Sequence, residues 1–264
     1  MVDDWALILG ASSGFGEACA VELAARGMNI FGVHLDRRAA LPNVEAIVRR
    51  IEGHGRRAAF FNINAADPEK RASALDAMKD ILAGAGSSSS IRVLLHSLAF
   101  GTLRPFVPED QADALTKAQL EMTLDVMANS LVYWTQDLVY RGLMGNGGRI
   151  FALTSAGSQR VMPHYGAVSA AKACLEAHVR QLAVELAGRG ITVNAIRAGV
   201  TDTPALRKIP GYEGLLEQAL RQNPSGRLTT TADVAAAIAK LSEAETYWVT
   251  GNVIDVDSGE FVAS

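Results

Sequence analysis

The sequence predicts an α/β protein: one parallel, doubly wound sheet of about seven strands with helices on both faces. Three observations point there. Short apolar runs alternate with helical patterns along the whole chain. The first run leads directly into a glycine-rich turn and then a helix. The chain has 264 residues, 49% of them hydrophobic, enough to bury a full core as a single domain, 1–264.

Composition narrows the function classes. Net charge is −3, with Lys and Arg scattered and no basic stripe, which argues against a nucleic-acid partner. Cys19 and Cys174 both sit in alanine-rich helical patterns and read as free thiols of a reducing compartment, ahead of a disulfide or a metal pair. No run approaches the roughly 18 apolar residues of a membrane span. The opening MVDD carries acid where a signal peptide carries base. A cytoplasmic protein without membrane contact is expected.

Residues 5–9 (WALIL) form a continuous apolar run, the pattern of a strand buried on both faces. Gly10, Ser12, Ser13, Gly14, Phe15 and Gly16 lie in the turn that follows, and a helical pattern runs over 17–26. Strand, glycine turn and helix in that order let a pyrophosphate approach bare backbone at a helix N-terminus, and the two serines add hydroxyl donors. The spacing is G-x-x-x-G-x-G. Residues 28–34 (MNIFGVH) are the second strand. The residues after it select the nicotinamide dinucleotide, since an acid holds a ribose 2′-hydroxyl and a base accepts a 2′-phosphate. Asp36 stands there, but Arg37 and Arg38 follow at once, which favours NADPH over NADH with the arginines as clamps.

Val44, Ile47, Val48 and Ile51 repeat at helical spacing up to Gly53, and 58–63 is a third strand with Asn62 and Ile63 placed against an adenine. Asp67-Pro68 opens a helix to about 82, and the polar stretch 83–90 is a surface turn. The fourth strand, 91–95, runs into His96, read as a structural strand-end residue. Ser97, Leu98 and Ala99 follow, where the backbone would approach the cofactor. Residues 116–144 read as one long helix, and 149–153 as strand five. Strand six, 191–196, leads to Gly199, Val200, Thr201 and Thr203. The segment 203–222 is placed to form a mobile substrate loop. A helix over 231–241 and a last strand over 253–256 complete the pattern.

The stretch 154–186 organises the rest. Tyr165 and Lys172 stand seven positions apart in an alanine-rich helical pattern, close to two turns, so both side chains leave one face. A phenol and an ammonium so placed form an acid and its charge partner. Ser155, ten residues before Tyr165, sits at the C-terminal edge of strand five, where the crevice of such a sheet lies. His164 and His178 read as surface or helix-packing residues, with no metal-ligand spacing.

With these motifs the chain resembles the short-chain dehydrogenase/reductase superfamily over about 5–259, which implies a Rossmann-type fold. The commoner members space Tyr and Lys four apart, and Val168 occupies that position here. The Tyr165-x6-Lys172 spacing is similar instead to the enoyl-acyl-carrier-protein reductase branch. The segments HSLAF at 96–100, LRP at 103–105 and LEA at 175–177 resemble it too, as do AVEL at 183–186 and Asp202-Thr203. Ser155, where the main branch has a second tyrosine, resembles its NADPH-dependent type III members. Two departures stand out. Met127 occupies the place of an Asn that feeds a proton relay in many members, Asn129 facing elsewhere, and 107–123 is longer than in type III members.

The resemblance implies catalytic roles for Tyr165, Lys172 and Ser155 in reducing the carbon–carbon double bond of a trans-2-enoyl thioester with NADPH. Tyr165 would donate to the enolate oxygen, with its pKa lowered by Lys172. Lys172 would also hold the nicotinamide ribose, and Val200, Thr201 and Thr203 the carboxamide and pyrophosphate. The substrate would ride on acyl-carrier protein, with Arg104, Arg160 and Arg207 as contacts for that acidic carrier. Met122, Met127, Met144 and Met162 are candidates to line an acyl pocket, and a homotetramer is implied. A carbonyl reductase of the same fold and a non-catalytic dinucleotide sensor stay open as alternatives.

Overall fold

The computed structural model describes residues 4–85 and 89–263. Seven parallel strands form one sheet in the order β3-β2-β1-β4-β5-β6-β7. They are β1 (Trp5–Leu9), β2 (Asn29–His34), β3 (Ala58–Asn62), β4 (Ile91–His96), β5 (Arg149–Thr154), β6 (Thr192–Ala198) and β7 (Val253–Val256). Strand β1 is flanked by β2 on one side and β4 on the other. The chain therefore reverses its direction of travel across the sheet between β1 and β4, and their C-terminal ends open a crevice.

Both sheet faces are covered, which explains why the strands read as unbroken apolar runs. Trp5, Leu7 and Leu9 of β1 join the core formed with α3 (Pro68–Ala85), α5 (Ser130–Tyr140) and α6 (Gly166–Ala187). Ala6 and Ile8, alternating with them, join the core formed with α1 (Gly14–Ala25), α2 (Leu41–Gly53) and α8 (Thr231–Leu241). No described helix is long and apolar enough to cross a membrane.

Three elements differ from expectation. Residues 116–144 are not one helix. The chain forms α4 (Lys117–Leu124), capped by a Thr116–Gln119 box, then a π-turn at Asp125–Asn129, then α5, ending at Tyr140. The Ser130 hydroxyl donates to Val126 O at 2.8 Å, a side-chain bond that competes with the helix ladder at the turn. Segment 203–222 is not an open loop either: it holds a short 3-10 turn at Leu206–Lys208 and α7 (Tyr212–Gln222). Finally, 83–85 complete α3, while 86–88 of the expected polar turn lie outside the described residues, as do 1–3.

Candidate active site

Two adjoining cavities occupy the crevice. The first, of about 260 Å³, runs along the β1 turn. Gly10, Ser12, Ser13, Gly14 and Phe15 line it together with Ser97, Leu98 and Ala99, and Ile63 and Thr203 also contribute. The glycines are required by close approach. A Cβ on Gly10, whose φ is +89°, would stand 2.4 Å from Ser97 O, and one on Gly16 would stand 2.0 Å from Gly10 O. Helix α1 begins at Gly14, earlier than its apolar pattern suggests, and Ser13 at its N-cap makes no side-chain cap bond. The first-turn N–H groups and the Ser13 hydroxyl therefore face the cleft without a capping partner, a site for an anion. These features fit a dinucleotide pyrophosphate.

The far end of this cleft departs from expectation. Arg37 and Arg38 are exposed and lie beyond its lining, which stops at Leu35. Asn62 is engaged with the neighbouring turn: its Oδ1 accepts Asp36 N–H at 3.0 Å and its Nδ2 donates to Asp36 O at 2.9 Å. The Asp36 carboxylate lies 2.9 Å from His34 Nδ1. Lys208, which the sequence did not single out, is a lysine lining both cavities.

The second cavity, of about 250 Å³, contains Ser155, Tyr165 and Lys172 together with Gly199, Val200, Thr201 and Thr203. Leu103, Met127, Met162, Val168, Ile209 and Leu215 make much of its remaining wall apolar, with Lys208 and Glu260 as charged members of the lining. Tyr165 is not inside the helix. It occupies the N-cap of α6, after His164 with φ of +61°. That left-handed turn, uncommon outside glycine, sets the direction in which the phenol enters the chamber. Tyr165 is 9% exposed and Lys172 6% exposed.

Burial dominates the electrostatics. The Tyr165 phenol is pushed above its ordinary pKa by desolvation, opposed by the Ser155 hydroxyl. Lys172 is not among the groups acting on it, which corrects the expected lowering. The phenol therefore stays protonated and can act as a donor. Burial lowers Lys172 to about 8, with Glu176 opposing the fall. Its ammonium donates to Leu153 O at 2.7 Å, while Glu176 accepts from Thr154 Oγ1 at 2.7 Å. Ser155 Oγ is buried and has no hydrogen bond of good geometry within the chain, although it acts on the Tyr165 phenol. A buried hydroxyl without a well-formed internal partner is available to a ligand.

Several other expectations can be placed. His96 is fully buried, contacts Ser130 Oγ at 2.9 Å, and is lowered to about 3 by desolvation and then by Lys172, as befits a structural residue. Asn129 faces His178, 3.1 Å away, and not the chamber, while Met127 fills the relay position. Met122 lines the first cavity and Met127 and Met162 the second, but Met144 is buried against Gly148. Burial raises both Cys19 and Cys174, and no group of three or more metal-ligating side chains occurs among the described residues. The three arginines expected at a carrier surface are engaged within the chain. Arg160 bonds to Phe261 O, Arg207 pairs with Asp202 at 2.7 Å, and Arg104 donates to Ala112 O at 3.1 Å. Glu176 and Glu260 are buried carboxylates at the site that sequence reasoning gave no role.

Known proteins match this architecture. A family model described as enoyl-(acyl carrier protein) reductase covers residues 10–260. The NADPH-dependent aldehyde reductase-like protein, chloroplastic, of Arabidopsis thaliana is 30% identical over 264 residues, covering 96% of this chain and 93% of its own. The enoyl-acyl-carrier-protein reductase (NADH) FabI of Aquifex aeolicus is 32% identical over 170 residues, 64% of this chain and 62% of its own. The solved structure of the promiscuous reductase LugOII, described as catalysing keto-reduction at C1 during lugdunomycin biosynthesis, superposes with a TM-score of 0.82. It is 27% identical and covers 98% of each chain. The chain belongs to the enoyl-(acyl carrier protein) reductase family of short-chain dehydrogenases/reductases and is an oxidoreductase of that family.

Proposed function

We propose that this protein reduces the carbon–carbon double bond of trans-2-enoyl thioesters with NADPH. The observation that carries the reading is the chamber itself. Tyr165 and Lys172 enter it at seven-residue spacing, while Val168 and Met127 fill the positions of a four-spaced tyrosine and of the relay asparagine with apolar atoms. A site that protonates an alkoxide through a water relay uses both positions for polar groups. A site that only has to stabilise an enolate needs a single preorganised donor.

A bound reduced nicotinamide supplies the hydride at the β-carbon. Tyr165, held neutral by burial, donates to the thioester oxygen as negative charge builds there. The Ser155 hydroxyl orients the same oxygen or the ring. The Lys172 ammonium, at the chamber wall, would hold the nicotinamide ribose, and Thr203, which lines both cavities, would contact the dinucleotide between them. Segment 203–222 contributes Leu206, Ile209 and Leu215 to the chamber's wall, an apolar surface that would disfavour water beside the reacting atoms. NADPH is favoured because the Asp36 carboxylate is engaged by His34 while Arg37 and Arg38 stand exposed beside the rim. An acyl-carrier-protein thioester is the proposed substrate form. The exposed Tyr140 on α5 and Val184 on α6 fit a homotetramer, which a light-scattering mass would reveal.

The test is loss of reduced-nicotinamide absorbance with a trans-2-enoyl thioester and, beside it, a β-keto thioester, each with NADPH and NADH. Turnover of the enoyl substrate with preference for NADPH supports the reading. The second reading, a carbonyl reductase, is favoured by the likeness to a keto-reducing structure, and turnover of the keto substrate alone would replace the first with it.

A further inference from the structure

Glu260, just past β7, is 8% exposed and is the one acidic side chain among the described residues lining the catalytic chamber. Its Oε1 accepts the Val200 N–H at 3.0 Å, so that N–H is taken within the chain instead of being left for a carboxamide. Its Oε2 has only a long contact, 3.4 Å, from Asn223 Nδ2. An ionised carboxylate offers about four acceptor positions and is costly to bury half-satisfied.

The tail that carries it is firmly held. The Asp257 carboxylate accepts the N–H groups of Gly259 at 2.9 Å and Phe261 at 2.7 Å. The Phe261 ring lies under two guanidinium groups, Arg197 at 3.5 Å and Arg160 at 4.4 Å. Gly199 lets the strand-end backbone pack directly against this carboxylate, since a Cβ there would stand 3.0 Å from Oε2 and 2.2 Å from Thr229 Oγ1. A preorganised, under-satisfied carboxylate thus faces a chamber whose other lining is largely apolar.

A nicotinamide ring brings two amide N–H donors that need acceptors once buried, and it is neutral when reduced but cationic when oxidised. We propose that Glu260 accepts the nicotinamide carboxamide and serves as counter-charge to the oxidised ring, so that it sets the balance between the two redox forms of the dinucleotide. This rests on reading the crevice as a nicotinamide dinucleotide site. The carboxylate favours the oxidised form and thereby the departure of hydride toward substrate.

The test needs no turnover. Dissociation constants for NADP⁺ and NADPH are measured on the wild type and on Glu260→Gln, together with the 3-acetylpyridine analogue of NADP⁺, which lacks the amide N–H groups. Expected is an NADP⁺ affinity weaker in Glu260→Gln by on the order of tenfold, with a smaller change for NADPH. The preference for NADP⁺ over its analogue should shrink in the same variant. Equal weakening of both redox forms would reduce Glu260 to a support for the Val200 loop and overturn the assignment. Should the variant fail to fold, wild-type protein that binds the analogue as tightly as NADP⁺ overturns it equally. Absence of dinucleotide binding to the wild type would overturn the cofactor reading and this assignment together, whereas wild-type binding with an unmoved redox ratio in the variant overturns this assignment alone.

Discussion

Replacing Glu176 by Gln should move the pH dependence of this enzyme without breaking its site. Glu176 stands one helical turn beyond Lys172 on α6, is 6% exposed, and raises the lysine's pKa against the desolvation that lowers it to about 8. Gln keeps the shape and an oxygen for the Thr154 hydroxyl but removes the charge. Side chains one turn apart lie roughly 6 Å from each other. At an effective dielectric of about 20 a charge pair at that distance is worth about 3 kcal/mol, an upper figure of about two pKa units. The variant should therefore lose the Lys172 cation one to two pH units earlier. The profile of kcat/KM for NADPH reports groups of the free enzyme. Its alkaline limb should fall near pH 8 in the wild type and toward neutrality in Glu176→Gln.

Stability supplies the control. Folded Lys172 releases its proton at about 8, whereas an unfolded lysine holds it to about 10.4. Between those values the unfolded chain binds more protons, so this group makes stability rise with pH in the very window where activity falls. An alkaline limb that stays in place in Glu176→Gln, or a limb that coincides with loss of the folded state, would refute the reasoning.

Other perturbations have defined outcomes. Tyr165→Phe should lower kcat by about 10² to 10⁴-fold while NADPH affinity, read by fluorescence titration, is retained. Gly16→Ala should abolish dinucleotide binding and lower the melting temperature, because its Cβ would stand 2.0 Å from Gly10 O. His164→Gly should leave thermal stability near wild type, since the residue has φ of +61°, whereas His164→Val should cost about 1–3 kcal/mol in denaturant unfolding and reduce kcat by displacing Tyr165. Arg37→Ala with Arg38→Ala should cut the NADPH/NADH ratio of kcat/KM at least tenfold, each lost charged contact to a 2′-phosphate being worth about 1.5–3 kcal/mol.

The fold was legible because a parallel sheet covered on both faces writes its strands as continuous apolar runs. WALIL at 5–9 and RIFAL at 149–153 could hardly be read otherwise. The glycine turn was legible for a related reason, that only glycine tolerates Gly10 against Ser97 O. The break at 125–129 was not. A π-turn changes hydrogen bonding and not composition, and the Ser130–Val126 bond that accompanies it looks in sequence like any helix serine. Tyr165 lines one chamber with Ser155 and Lys172, but from the N-cap and not from within the helix, since the alanine-rich pattern gives no sign that the helix starts one residue later. The expectation that Lys172 lowers the tyrosine's pKa failed because burial of both groups outweighs charge, and burial is a tertiary quantity. Glu260 was invisible for the same reason. Its partner Val200 lies 60 positions away, and nothing local marks a tail carboxylate as facing a chamber.

The central claim, that hydride is delivered to the β-carbon of an enoyl thioester, is tested most directly by isotope. NADPH carrying deuterium at the transferable C4 position would be turned over with a trans-2-enoyl thioester, and the product analysed by NMR. The account predicts one deuterium at the β-carbon of the saturated thioester and an ordinary solvent-derived proton at the α-carbon. Deuterium on a carbinol carbon, with the double bond intact, would contradict it and make the protein a carbonyl reductase.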